Sequence, residues 1–322
     1  MGMTAQGTKE QTAAAADSSG LQAAVQKQAA TLHGHVALFA EDLRSGRTIT
    51  LDADREVQTA STIKLAILYT AMREIRSGHA RWDETIVLKP GEAVGGSGML
   101  HFFDLPLTLT LKDVLTMMVI VSDNTATNLA IDRFGLENIN ATVESLGLTH
   151  THLYKKVFTP ATAPMPADYA KFGLGKTTPR EIARLMTDIG ECRLRPADTP
   201  SGSLLPMDEA DRAVCAVALD MLKSQFYRET VPRYLPQGGD GTVASKTGSL
   251  DASRSDVSLV AGKNGPMVLA IYTYGNADHS WTVDNEGEVM IAKLARTIVD
   301  AWSAQGLDAK WMVPGLGLGS LP

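Results

Sequence analysis

The serine and lysine of Ser61-Thr62-Ile63-Lys64 are spaced to share one face of a helix. Ser61 stands at the expected helix start, where backbone N–H groups and the helix dipole favour developing negative charge. A serine hydroxyl is a weak nucleophile until a base removes its proton, and a nearby amine of depressed pKa can do so. Leu65-Ala66-Ile67-Leu68 follow, so Lys64 is expected in apolar surroundings. Ser122-Asp123-Asn124 follows Val119-Ile120-Val121 and, taken alone, reads as the N-cap of a helix starting at Thr125. Lys246-Thr247-Gly248, with Ser249 next, is expected to end a strand that begins near Thr242. A strand edge offers N–H and C=O groups to an extended acyl substrate, and Gly248 leaves room for close approach.

Each motif alone is weak, but in this order they resemble the signature of the penicillin-recognising serine enzymes, S-x-x-K, S-D-N and K-T-G. The resemblance is closest to class A β-lactamases and covers roughly residues 21–302. It runs through SDNTATN at Ser122–Asn128, through Lys176-Thr177-Thr178-Pro179-Arg180-Glu181, and through Arg254. It implies that Ser61 is the acylated nucleophile, with its own N–H and that of Ser249 as oxyanion hole. It further implies that Lys64 acts as base in acylation and that Ser122 relays a proton to the leaving nitrogen. Asn124 would hold the acyl side-chain amide, while Lys246, Thr247 and Arg254 bind a substrate carboxylate beside Gly248. Two lysines converging on one site depress each other's pKa, which suits Lys64 to base work.

One part of the pattern is missing. The family's omega loop carries a glutamate that positions the deacylating water. The stretch Tyr154–Pro179 contains no glutamate, and the expected place falls near Leu174 or Gly175. Asp168 is its only carboxylate, although Asn128, whose family counterpart bonds that glutamate, is present. Asp168 reaches in from a rearranged loop, another group activates water, or deacylation is slow. Three functions follow from these alternatives: a β-lactamase, a DD-peptidase or esterase on cell-wall or small acyl substrates, and a protein that keeps β-lactams as a stable adduct.

To position such residues the chain needs strands and helices in a particular order. Short strands are expected at residues 36–40 and 47–51, and again at 242–246, 255–262 and 267–274, with Asn264-Gly265 as a hairpin turn. Helices are expected at 21–32, 61–75, 111–121, 125–134, from Pro179, at 208–226 and at 289–302. With strands at both ends and helices between, the economical fold is α+β. It is a three-layer α/β/α sandwich on one antiparallel sheet, with an all-helical subdomain inserted. The expected division is a sheet domain over 21–58 and 208–303, an insertion over 59–207, and flexible ends at 1–20 and 304–322.

Composition sets the limits. With 322 residues, 44% hydrophobic and 20% charged, the chain can bury a full-sized core. A net charge of −6 with no long basic run argues against nucleic acid. The longest apolar run, Val114–Val121, falls short of the roughly 18 residues that span a bilayer. Met1–Gly20 does not read as a secretory signal; export to the periplasm or medium, and a monomeric state, are expected by resemblance only. Cys192 and Cys215 read equally as two buried thiols or one disulfide. The seven histidines show no helical metal-ligand spacing, and no cofactor or metal is called for. Gly95-Gly96-Ser97-Gly98 reads as a flexible loop bordering the site, and Phe102-Phe103 as cleft mouth or core. Pro160, Pro164 and Pro166 stiffen the omega-like loop.

Overall fold

The computed structural model describes residues 19–160, 164–194, 207–236 and 241–318. Helix α1 (residues 19–29) leads into the hairpin β1 (His35–Asp42) and β2 (Thr48–Leu51). Strand β3 (Val57–Gln58) and a 3-10 turn (Ala60–Ile63) precede α2 (Lys64–Arg76). The middle of the chain holds β4 (Thr85–Leu88), β5 (Leu107–Thr110), α3 (Leu111–Ile120), α4 (Asn124–Phe134) and α5 (Leu136–Ser145). It continues through β6 (His152–Leu153), α6 (Tyr169–Phe172), β7 (Gly175–Thr177), α7 (Pro179–Gly190) and α8 (Glu209–Lys223). Strands β8 (Val243–Leu250), β9 (Ser253–Gly262) and β10 (Gly265–Tyr274) follow, then α9 (Glu286–Trp302).

The main sheet is antiparallel in the order β2-β1-β10-β9-β8. Side chains alternate across a strand, and β1 shows what that does here. Ala37 and Phe39 join the core shared with α2, α3, α7 and α8, whereas Leu38 and Ala40 join the core under α1 and α9. Both faces of the sheet are therefore covered, which is why β9 and β10 are buried along almost their whole length. Helix α9 supplies Ile291, Leu294, Ile298 and Val299 to the outer layer, all fully buried. Burying each such side chain contributes about 1.5–3 kcal/mol. Thr178 caps α7 ahead of Pro179 at its first position, as the sequence suggests.

Several boundaries differ from expectation. Lys246-Thr247-Gly248 does not end its strand; β8 continues to Leu250 and pairs with β9 throughout. The last hairpin turns on Lys263-Asn264, with Gly262 paired to Gly265, one residue earlier than Asn264-Gly265. The insertion expected to be all helical also carries β4–β5 and β6–β7, strands of two to four residues that are too short to show alternation. Residues 304–318 are not a loose tail. Trp311, Met312 and Leu316 are buried against the helical core, and Gly315 N donates to Gly190 O. Cys192 and Cys215 are joined as a disulfide between the end of α7 and the body of α8. The expected flexible ends at 1–18 and 319–322 lie outside the described residues.

Candidate active site

Ser61 sits in the 3-10 turn that opens α2, between a strained residue and a crowded strand. Ala60 before it has φ +44°, a conformation that costs a non-glycine residue about 1–3 kcal/mol and is kept only where its surroundings enforce it. Those surroundings are visible. Thr59 N donates to Gly175 O at 3.0 Å, and Thr62 Oγ1 lies 2.8 Å from Thr59 O and 2.7 Å from Tyr272 Oη. On the other side, a Cβ at Gly248 would stand 2.9 Å from Thr59 O and 3.1 Å from Ser61 N. Only glycine lets β8 come this close to the serine backbone.

Behind Ser61 two lysines meet at one hydroxyl. Lys64 Nζ lies 3.0 Å from Ser122 Oγ, 2.6 Å from Ser122 O and 3.2 Å from Asn124 Oδ1. Lys246 Nζ lies 3.1 Å from the same Ser122 Oγ and 2.9 Å from Thr247 O. Both lysines are fully buried. Burial, and then the Lys246 charge, hold Lys64 well below the ordinary lysine range, with Asp123 pulling the other way. Burial brings Lys246 down to about 7 against the opposing charge of Asp256. Asp256 is itself buried and accepts bonds from Thr230 Oγ1, Val231 N and Ser258 Oγ.

Ser122 has φ +54°, a second strained residue in the site. Its neighbours hold it there. Asp123 caps α4 by accepting from Ala126 N at 2.8 Å, and its other oxygen accepts from Met99 N and Leu100 N. Asn124 N donates to Ser97 O, and Asn124 Nδ2 to Gly95 O. The glycine-rich loop is thus tied to the second motif rather than free. Gly98, at φ +103°, passes so close to Asp123 that a Cβ would fall 2.4 Å from Asp123 Cα.

These residues open on a cleft of about 340 Å³. Ser61, Ser122, Thr247, Gly248 and Ser249 line it, together with Ser97, Tyr227, Glu229, Thr230, Trp281, Thr282, Val283 and Glu288. Apart from Ser97, whose loop was expected to border the site, these latter residues carry no motif, and sequence reasoning missed them. They come from loops and from the first turn of α9, and only the fold brings them together. Arg254 does not line the cleft. It is 1% exposed, its Cζ lies 4.7 Å from the Trp281 ring, and its Nε lies 3.2 Å from Glu288 Oε1. Phe102 and Phe103 neither line the cleft nor pack in the core; they are 80% and 49% exposed.

The omega-loop glutamate is expected near Leu174 or Gly175, and the structure bears on the second. At Gly175 a Cβ would stand 2.8 Å from His152 O and 2.9 Å from Thr59 Oγ1, so no side chain fits. Asn128 instead clasps the loop backbone: Nδ2 donates to Val157 O at 3.0 Å, and Oδ1 accepts from Val157 N at 2.8 Å. Asp168 does not reach in. Its carboxylate lies 2.8 Å from Lys176 Nζ, and Lys176 and the Tyr154 hydroxyl hold it below the usual carboxylate range.

Comparison with known proteins agrees with this geometry. Residues 20–302 match the sequence profile of the beta-lactamase enzyme family. The crystal structure of a beta-lactamase from Sphaerobacter thermophilus DSM 20745 superposes with TM-score 0.74 at 30% identity, covering 89% of this chain and 97% of that one. The beta-lactamase regulatory protein BlaB of Streptomyces cacaoi is 25% identical over 82% of this chain and 91% of its own length. Beta-lactamase AST-1 of Nocardia asteroides is 26% identical over 84% of this chain and 80% of its own length.

Proposed function

The chain belongs to the beta-lactamase enzyme family, and we propose that it hydrolyses β-lactams through an acyl-enzyme on Ser61, with slow deacylation. The observation that carries this reading is the placement of Ser122 Oγ between Lys64 Nζ and Lys246 Nζ, both buried and both depressed in pKa. A buried lysine that gives up its proton near neutral pH can accept one from a serine.

Ser61 Oγ attacks the lactam carbonyl carbon while its proton passes to neutral Lys64. The carbonyl oxygen becomes an oxyanion and accepts N–H bonds from Ser61 and Ser249, where groups already aimed at the developing charge need no reorganisation. As the C–N bond breaks, Ser122 Oγ gives its proton to the leaving nitrogen and is reprotonated from the lysine pair. Asn124 holds the acyl side chain, and Thr247 and Gly248 line its path along β8.

Hydrolysis of the resulting ester needs an activated water. Leu174 is apolar, Gly175 is too crowded for a side chain and Asp168 pairs with Lys176, so neither expected position supplies a carboxylate. Loss of a placed base lowers a rate by roughly 10²–10⁴-fold, so the acyl-enzyme accumulates. The same feature favours a second reading, a DD-peptidase or esterase whose natural acyl donor is not a β-lactam, or a protein that holds a β-lactam as an adduct. The disulfide supports export to an oxidising compartment.

The deciding experiment follows a chromogenic cephalosporin and intact protein mass together. An adduct that forms at Ser61 and decays over repeated turnovers supports the hydrolase. An adduct with one turnover or fewer supports the adduct-holding reading, and no adduct overturns acylation altogether.

A further inference from the structure

Two residues held at positive φ, Ala60 and Ser122, belong to the catalytic motifs or adjoin them. A third, Phe158, has φ +54° and belongs to no motif. For so bulky a side chain this conformation is an outlier. Such strain persists only where neighbours enforce it, and it gathers at functional sites. The neighbours of Phe158 do enforce it. Asn128 clasps the backbone of Val157 just before it. Lys155 Nζ donates to Thr159 O at 3.0 Å, and Thr159 Oγ1 donates to Lys156 O at 3.1 Å, which closes the turn around the ring. Lys156 Nζ pairs with Asp132 Oδ2 at 2.6 Å, a second tie to α4.

This anchoring does not serve burial, because Phe158 is 70% exposed. What it fixes is the place of the ring. A Cβ at Gly96 would stand 2.8 Å from Phe158 Cε2 and 2.7 Å from Asn124 Nδ2. The ring edge and the Asn124 amide therefore flank one point of the glycine-rich loop, and only glycine there lets both come so close. Ser97, the next residue, lines the cleft. From Gly95 to Gly98 the loop carries no side chain larger than that serine, so the first apolar surface beyond it is the Phe158 ring. A ring already fixed in place loses little freedom when a ligand packs on it.

We propose that Phe158 is a specificity-determining residue, whose ring packs on an aromatic group carried by the acyl side chain that Asn124 holds. The protein then favours donors with an arylacetyl side chain over those with a small acyl group. The proposal rests on the reading above, with Ser61 acylated and the acyl side chain at Asn124. An aromatic pair of this kind changes affinity by up to about tenfold.

The test compares benzylpenicillin with 6-acetamidopenicillanic acid, which keeps the ring system, the carboxylate and the side-chain amide but lacks the phenyl group. The readout is the acylation rate constant over KM, with the adduct confirmed by intact mass. Wild type is expected to favour benzylpenicillin by about tenfold. Phe158→Gly should bring the two compounds within about twofold by slowing benzylpenicillin alone, and Phe158→Tyr, which keeps a ring, should keep the preference. Glycine also relieves the positive φ, so the urea midpoint of Phe158→Gly is expected at or above that of wild type. A marked fall in that midpoint would make the ring a packing group and overturn its role toward substrate. Equal rates for the two compounds in wild type, or a preference intact in Phe158→Gly, overturns the selectivity while leaving Ser61 acylation standing. No adduct with either compound overturns both.

Discussion

Asn128 holds Val157 by both ends of its side-chain amide, donating to the carbonyl and accepting from the N–H. These two bonds fasten the loop after β6 to α4. Asn128→Ala is expected to cost about 2–3 kcal/mol, because it removes two bonds and leaves two buried backbone groups unpaired. Urea denaturation measures the loss. Asn128→Asp keeps the acceptor and loses the donor, and should fall between wild type and the alanine variant. Equal stability of all three would show that the clasp does not anchor the loop.

Filling Gly175, one of the two positions expected for the glutamate, is expected to fail. Gly175→Glu must push a Cβ against His152 O and Thr59 Oγ1, both within 3 Å, so the strand or the Ser61 turn has to shift. We expect a loss of roughly 2 kcal/mol or more, in the range of overpacking, and no faster deacylation. Recovery of free enzyme after a single acylation, timed by mass spectrometry, checks this. A hundredfold faster recovery would refute the steric argument.

Asp168→Asn should leave deacylation within twofold of wild type, since that carboxylate faces Lys176 rather than the cleft. Stability should change by less than about 1 kcal/mol, as for other exposed ion pairs. A tenfold slower deacylation would make Asp168 the water-activating group after all.

The lysine pair predicts a pH dependence with a definite sign. Acylation rises with pH as Lys64 loses its proton, then falls as Lys246, at about 7, loses the charge that supports Ser122. The two titrate as a coupled pair, so the limbs belong to both. Lys246→Arg stays charged and should abolish the descending limb. Stability follows separately. Lys246 has a folded pKa of about 7 against a usual 10.5, so between those values the unfolded chain binds the extra proton. Stability therefore rises with pH through that window, and the full penalty applies below 7. Lys246→Met should be more stable than wild type at pH 7, by on the order of 2 kcal/mol, with a smaller gain at pH 10.

Removing the disulfide should cost about 3 kcal/mol by loop-closure entropy, given a separation of 23 residues. Cys192→Ser with Cys215→Ser, compared in urea with oxidised and reduced wild type, tests it. If the double variant matches oxidised wild type, the bridge adds nothing to stability.

The motifs were legible as short residue patterns: Lys64 and Lys246 meet at Ser122, and Ser61 lines the same cleft as Ser122. The order of the main elements was legible from apolar runs in α2, α9 and the last strands and from the turn residues between them. The wall formed by Tyr227, Glu229, Trp281 and Glu288 was not, since loop residues carry no periodicity and meet only through long-range packing. Arg254 shows the limit of a matched position. It falls on β9, one residue before the expected strand, and Ser280 O and Glu288, which hold its guanidinium from elsewhere in the chain, were invisible locally. The disulfide was undecidable for the same reason, depending on how α7 and α8 dock.

The register of the main sheet also governs when the site can exist. His35 pairs with Tyr274 and Asp42 with Met267, so the first hairpin waits for a strand made near the end of synthesis. Ser61 belongs to the early part of the chain, and Gly248, against which it is set, belongs to the late part. Helices of the middle region can form while the chain is still growing, but the central pairing is highly non-local and closes slowly. A chain that ends before β10 lacks the strand that joins β1 to β9 and β8. The setting of Ser61 against β8 thus joins the early and late parts of the chain and requires both.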